Sequence, residues 1–100
     1  MLVVEQLETA NGSVQGVMAK APGGEGHPNM ILIICKRGYL MCGYLNLPAA
    51  EKFGDAAVLV GGADFDAVLA NEIKGATSAA KALGVKEGMT GREAAAILNA

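Results

Sequence analysis

The sequence predicts an α+β fold, in which N-terminal antiparallel hairpins form one sheet and short C-terminal helices pack on it. Two observations predict it. Residues 1–45 alternate strand-forming runs with turns rich in Gly, Asn and Pro. The later residues carry helix caps followed by apolar residues at spacings of three and four. The length of 100 residues suits one domain that spans residues 1–100.

The first predicted hairpin joins the strands Leu2–Thr9 and Val14–Ala21. Asn11 and Gly12 supply the two positive φ angles that a type I′ turn requires. Residues 21–29 follow as a loop, because their glycines and prolines prevent regular strand pairing. Both strands mix polar and apolar residues, so one of their faces is open to water or to a partner.

The second predicted hairpin joins Met30–Lys36 and Tyr39–Leu45 through a turn at Arg37-Gly38. Both strands are apolar on both faces, whereas a strand with one wet face alternates apolar and polar residues. The helices of so short a chain can cover only one of these faces. We therefore expect a homo-oligomer in which residues 30–45 contribute to the subunit contact.

The second half of the chain predicts helices with one further short strand. In order, these are a helix over Leu47–Phe53 capped by Asn46, a buried strand over 56–60, a helix capped by Asp64, a helix from Ile73 or Gly75 to Leu83, and a last helix that begins after Thr90. The last helix has the clearest local signal. Thr90 and Glu93 form a capping box, in which each side chain accepts the backbone N–H of the other residue.

Composition and charge exclude several classes of partner. The net charge of −2 and a pI of about 5.2 leave no basic field for nucleic acid or anionic lipid. The apolar run 30–35 is far too short to span a bilayer as a helix. The first residues lack the basic region and the longer apolar segment of a signal peptide. A cytoplasmic protein with no membrane or nucleic-acid partner is expected.

The two cysteines are expected to be reduced thiols. With Arg37-Gly38 as a two-residue turn, Cys35 and Cys42 lie on one face as diagonal neighbours. Such neighbours are roughly 7–8 Å apart, which is too far for a disulfide. A metal held by two thiolates needs further ligands, and His27 is the only histidine. We therefore predict no metal site and no cofactor.

Cys42 is the candidate catalytic residue if either thiol is functional; the alternative is that both are small buried hydrophobes. Gly43 interrupts a β-branched and aromatic strand, which often marks close approach by a ligand or another chain. A thiol beside a bare amide can support acyl transfer. His27 is the only base in view, and the sequence does not bring it within reach.

The glycine pair Gly61-Gly62 and the residue Arg92 can each be interpreted as structural or as functional. Gly61-Gly62 precedes the helix capped by Asp64, and we interpret it as a tight strand-to-helix turn rather than a phosphate site, because Asp64 and Asp66 are anionic. Arg92 lies in the first turn of the last helix, where a cation opposes the helix dipole. It serves a partner or a ligand, or it is a surface residue paired with Glu87 or another subunit.

Two stretches resemble the YunC-like family, which is domain of unknown function 1805. They are residues 38–45 and residues 82–85 followed by 88–94. The resemblance implies a compact α+β domain whose N-terminal β region builds a tetramer, and it implies no established activity. Its motifs point to Cys42, Gly88, Glu93 and five residues that are candidates for binding an unidentified small molecule: Tyr39, Gly43, Thr90, Gly91 and Arg92.

Two classes of function remain open at this point. The first is a homo-oligomeric, non-catalytic protein that serves assembly or binds a small ligand. The second is a small enzyme that uses Cys42 as a thiol nucleophile at a subunit interface.

Overall fold

The structure is a computed structural model that describes all 100 residues, and it confirms the α+β fold. Six strands form one mixed sheet in the order of the sequence. The strands are β1 (Leu2–Thr9), β2 (Gly12–Ala19), β3 (Met30–Ile34), β4 (Tyr39–Met41), β5 (Ala57–Leu59) and β6 (Gly75–Ala76). The helices are α1 (Leu47–Phe53), α2 (Phe65–Ala70), α3 (Ser78–Ala82) and α4 (Gly91–Leu98).

The pairing of β4 with β5 is parallel, and every other strand pair is antiparallel. Parallel neighbours need a crossover connection, and α1 provides it. Asn46 caps α1 by accepting the Ala49 N–H at 3.1 Å, and Gly54 ends it at a φ of +76°. None of the four helices is long and apolar enough to span a membrane.

One face of the sheet forms the core with α2 and α4. Ile31 and Ile33 of β3 alternate with less buried neighbours, and both are fully buried. Leu40 and Val58 continue this face into β4 and β5, where Leu98 of α4 is also fully buried. Packing within the chain thus accounts for one of the two apolar faces of the second hairpin.

The opposite face of the sheet stays open over its first three strands. The strand register sets Val4, Val17, Leu32 and Met41 in one row across β1 to β4. We call this row and its apolar neighbours the open face. Exposed fractions are 55% for Val4 and 43% for Ile34, whereas α1 covers the far end of the sheet over β5 and β6.

The first hairpin turns earlier than the sequence predicted. Thr9 pairs with Gly12, so β2 covers Gly12–Ala19 instead of Val14–Ala21. The Thr9 hydroxyl donates to the Gly12 carbonyl and accepts the Asn11 N–H, which closes the turn. Of the two residues predicted to form the turn, Asn11 and Gly12, only Gly12 has a positive φ, +97°. The predicted type I′ turn is therefore wrong.

The second hairpin differs in register from the prediction. Ile34 pairs with Tyr39, and residues 35–38 form a four-residue loop in which the Cys35 N–H donates to the Gly38 carbonyl at 2.9 Å. Cys42 therefore lies opposite Ile31, not Ile33, and the predicted diagonal pairing of Cys35 with Cys42 is wrong. A Cβ at Gly38 would overlap the Ala56 carbonyl, so this position of the loop requires glycine.

The predicted helix from Ile73 or Gly75 to Leu83 is also wrong at its start. Residues 75–76 form β6 against β5 instead, and the helix begins after Thr77. The buried Thr77 hydroxyl causes this break, because it donates to the Asp55 carbonyl at 2.6 Å and accepts the Ala57 N–H at 3.0 Å. These bonds hold residue 77 at the edge of the sheet.

The last helix follows the prediction. The Thr90 N–H donates to the Glu93 carboxylate at 3.0 Å, and the Glu93 N–H donates to the Thr90 hydroxyl at 3.3 Å, so the capping box is confirmed. The helix then crosses α2 at very short range. A Cβ at Gly91 would overlap the carbonyl of Val68.

Replacing Gly91 by Ala should therefore destabilise the protein. The added methyl group would force α2 and α4 apart, and we expect a loss of at least about 2 kcal/mol in the free energy of unfolding, as for other overpacked cores. Urea unfolding measures this loss. Gly43→Ala is the matched control, because a Cβ there meets no atom within 4 Å. Equal stability of the two variants would contradict the close helix contact.

Candidate functional site

A cavity opens where the parallel strands β4 and β5 end, and we call it the turn cavity. Its volume is about 490 Å³, within the range of small-molecule sites. The lining residues come from the end of the 21–29 loop, from the turn after β4 and from the turn after β5: His27, Pro28, Asn29, Cys42, Gly43, Tyr44, Gly61 and Gly62. Ligands of parallel sheets bind beyond the carboxyl ends of the strands, which is where this cavity lies.

Asn29 fastens the loop over the cavity. Its side-chain oxygen accepts the Ala21 N–H at 3.0 Å, and its side-chain amide donates to the Ala63 carbonyl at 2.8 Å. The first bond closes the loop on itself, and the second ties it to the turn that follows β5. These bonds bring His27 to the wall of the cavity that contains Cys42.

Cys42 takes an unusual part in the pairing of β3 with β4. Its N–H donates to the Ile31 carbonyl at 3.1 Å, as expected in an antiparallel ladder. Its own carbonyl instead accepts the Leu45 N–H at 2.9 Å and closes the next turn. The Ile31 N–H then donates to the Cys42 Sγ at 3.2 Å, and the Sγ lies 3.7 Å from the Asn29 carbonyl, to which it can donate.

The thiol of Cys42 therefore replaces a backbone carbonyl, and this role alone accounts for a polarizable side chain at this position. The residue is buried, with 4% of its surface exposed, although it contributes to the cavity wall. A Cys42→Ala variant would leave the buried Ile31 N–H without an acceptor, at a cost of about 1–3 kcal/mol. Cys42→Ser retains an acceptor and is the better probe of chemistry.

Gly43 is exposed and is not explained by contacts within the chain. Its φ is not positive, and a Cβ there would meet no atom within 4 Å. Gly62 differs, because its φ is +155° and a Cβ would lie 2.7 Å from the backbone nitrogen of Val68. The turn at Gly61-Gly62 is thus tight, as the sequence predicted, whereas Gly43 leaves space for an approaching group.

Tyr39 lies on the other face of β4 and does not line the turn cavity. Its hydroxyl donates to the Asp55 carboxylate at 2.7 Å. Burial, this hydrogen bond and the negative charge of Asp55 raise the pKa of Tyr39 to about 12. The hydroxyl therefore links β4 to the residues before β5, and a ligand role for Tyr39 stays a prediction.

Thr90, Gly91 and Arg92 lie at the start of α4 and do not line the turn cavity either. Thr90 caps the helix, and the Gly91 N–H donates to the Asn71 carbonyl at 2.9 Å. The Arg92 guanidinium donates to the carbonyl of Glu8 in β1 rather than pairing with Glu87. All three have contacts within the chain, and their ligand role stays a prediction.

Cys35 lies at the opposite end of the hairpin from Cys42, in the loop after β3. Both thiols are free and buried. Burial raises the pKa of Cys35 to about 11. No group of three His, Cys, Asp or Glu side chains in the structure could hold a metal ion.

The sequence indicated Cys42 and Gly43 in the cavity but missed His27, Asn29 and Tyr44 as neighbours. The parallel pairing of β4 with β5 was the available signal. A helix between two short apolar strands is typical of a parallel pair, and residues after both strands then lie together.

Comparisons with known proteins agree with the fold and give no activity. The family model described as a domain of unknown function, DUF1805, matches residues 41–98. The chain is similar to a crystal structure of a protein of unknown function, TA1206 from Thermoplasma acidophilum. The sequence identity is 29%, the TM-score is 0.81, and the match covers 93% of this chain and 88% of that one. No curated protein matches the chain.

The two thiols should differ in reactivity. Since the pKa of Cys35 is about 11, its thiolate is less than about a thousandth of the population at pH 7.5. We expect iodoacetamide to spare Cys35 at that pH and to label it about tenfold faster for each pH unit up to 11, whereas Cys42 at the cavity wall is labelled first. Mass spectrometry of the native protein measures both rates, with the urea-unfolded chain as control. Preferential labelling of Cys35 at pH 7.5 would contradict this assignment.

Proposed function

Because the chain belongs to the DUF1805 family, a domain of unknown function, its role has to follow from its own surfaces. We propose that it is a homo-oligomeric, non-catalytic protein of the cytoplasm that binds a small molecule in the turn cavity. A tetramer is the state that the family resemblance implies. Both cysteines are free thiols, which suits a reducing compartment.

One observation carries the ligand-binding part of the proposal. The cavity lies beyond the carboxyl ends of the parallel strands, and its wall includes Gly43, for which neither φ nor packing within the chain requires a glycine. Gly43 lies in the turn after β4, and a glycine there that neither φ nor packing requires leaves space for another molecule to approach the backbone closely. The cavity volume of about 490 Å³ fits a small metabolite.

The open face supports the oligomeric part. Val4, Val17, Leu32 and Met41 form an apolar row that no helix of the chain covers from β1 to β3, and Leu2 beside it is 65% exposed. Contiguous apolar patches on soluble domains mark contact surfaces. A stable interface buries about 800 Å² on each partner, so residues around the row must contribute as well.

The alternative is a small enzyme that uses Cys42 as a thiol nucleophile at a subunit interface. The presence of His27 in the wall of the same cavity favours it, since an imidazole is the usual base for a thiol. The amides of the turn would then stabilise an oxyanion. The hydrogen bonds of the Sγ with Ile31 and Asn29 favour the non-catalytic role, and slow labelling of Cys42 would exclude the enzyme.

Charges placed on the open face should dissociate the assembly. We expect light scattering at micromolar concentration to give the wild type a multiple of the 10.1 kDa of one chain, with four as the predicted multiple. Val4→Glu combined with Ile34→Glu should give one chain, because both side chains are partly exposed in the monomer and the fold tolerates the change. Phe53→Glu, at a site 76% exposed on α1, is the control and should stay assembled. A monomeric wild type refutes the oligomer.

Gly43→Ala should weaken ligand binding without destabilising the protein. Without ligand, its stability should equal that of the wild type or exceed it by about 0.4–1 kcal/mol, since the backbone conformation suits alanine. In a thermal-shift screen against metabolites, a ligand at 100 times its Kd adds about 2.7 kcal/mol to the wild type. The same compound should shift Gly43→Ala much less. Equal shifts in both proteins would place the ligand elsewhere, and a screen without any shift would contradict binding.

A further inference from the structure

We propose that the turn cavity binds an oxyanion, the carboxylate or phosphate group of a small molecule, through the free backbone amides of its two glycine-containing turns. This inference rests on the proposed ligand-binding function and names the chemical class of the ligand. The evidence for it is which polar groups of the lining residues are hydrogen-bonded within the chain and which have no partner there.

Four amides on the cavity wall have no acceptor within the chain. They are the N–H groups of Gly43 and Tyr44 after β4 and of Gly61 and Gly62 after β5. Their neighbours are paired: the Cys42 N–H donates to Ile31 and the Val60 N–H to Met41, both at 3.1 Å. Each turn thus leaves two successive donors free, and successive free amides in turns are the usual cradle for anions.

The other polar groups of the wall agree with an anion. None of the lining residues is Asp or Glu. The side chain of Asn29 is engaged at both ends, with Ala21 and Ala63, which leaves only the second hydrogen of its amide to donate. The Tyr44 hydroxyl donates to the Pro28 carbonyl at 3.4 Å, so His27 is the polar side chain of the wall that has no partner within the chain.

A lysine ammonium lies beside the same wall. The Lys74 Nζ would be 3.1 Å from a Cβ at Gly61, so the ammonium lies beside that turn, although Lys74 itself lines a different cavity near β6. Its backbone is fixed by a 2.7 Å hydrogen bond from the Lys74 N–H to the Leu59 carbonyl. The chain has a net charge of −2, so this ammonium supplies a local attraction that the molecule as a whole does not.

Two aspartates follow the second turn, and their positions remove the objection that they would repel an anion. The Asp64 carboxylate accepts the Ala67 N–H at 2.8 Å as the cap of α2. Asp64 and Asp66 both line a different cavity, beside β1 and β2, and neither lines the turn cavity. Neither carboxylate is part of the wall that holds the four free amides.

The test uses the assembled wild-type protein, its amide NMR spectrum and three probes at constant ionic strength: inorganic phosphate, acetate and acetamide. We expect phosphate or acetate to shift the amide signals of Gly43, Tyr44, Gly61 and Gly62 in a saturable manner. The two anions together separate a phosphate site from a carboxylate site. Acetamide has the shape of acetate without its charge and should shift none of them.

A lysine variant gives a second readout that does not depend on the turns. Lys74→Met should weaken binding of the effective anion about five- to tenfold, because an ammonium contact is lost. Lys52→Met in α1 removes the same charge at a residue that lines none of the four cavities and should leave the affinity unchanged.

The failures of the two proposals are distinguishable. Absence of saturable shifts at the four amides, or equal shifts with acetamide, overturns the oxyanion assignment. If a neutral metabolite then binds and Gly43→Ala weakens it, the ligand-binding function stands without the anion. If neither anions nor metabolites bind, both proposals are wrong.

Discussion

The parallel pairing of β4 with β5 is the constraint on which the candidate site depends. It forces the chain through the α1 crossover, and it brings the ends of two strands that are 18 residues apart in sequence, at Met41 and Leu59, side by side. The turns that follow them then share a wall, and the loop held by Asn29 closes over it. An antiparallel arrangement of the same two strands would separate these turns by the length of the strands. The site is therefore a product of topology more than of any single motif.

Local signals in the sequence were sufficient wherever a side chain bonds to its own turn. The caps at Asn46, Asp64 and Thr90 were predicted and confirmed, because each depends only on backbone amides two or three residues away. The register of the second hairpin was missed by two residues. Such a slip keeps every side chain on its face, so the apolar pattern cannot detect it. The 3.0 Å hydrogen bond from the Tyr39 N–H to the Ala56 carbonyl supports the true register, and Ala56 is distant in sequence.

The site was predictable only in part, for the same reason. Gly43 attracted notice as a glycine in the predicted strand Tyr39–Leu45, and Cys42 because it adjoins Gly43. The structure ends this strand at Met41, so Gly43 lies in a turn. His27 could not be connected to either from the sequence, since the bonds of Asn29 to Ala21 and Ala63 bring it there. The break before α3 was likewise hidden, because Thr77 stops the helix through long-range bonds to Asp55 and Ala57.

The sulfur in the β3–β4 ladder has a consequence for the motions of the molecule. Beyond the three regular residue pairs of this hairpin, its cavity end is held by the Cys42 N–H and by the Ile31 N–H, and the acceptor of the latter is a thiol, which is a weak acceptor. Local opening is easiest where hydrogen bonds are weakest and contacts fewest. The hairpin therefore frays from the cavity inward, and the exchange rate of the Ile31 amide hydrogen reports directly on whether that end is open or held shut.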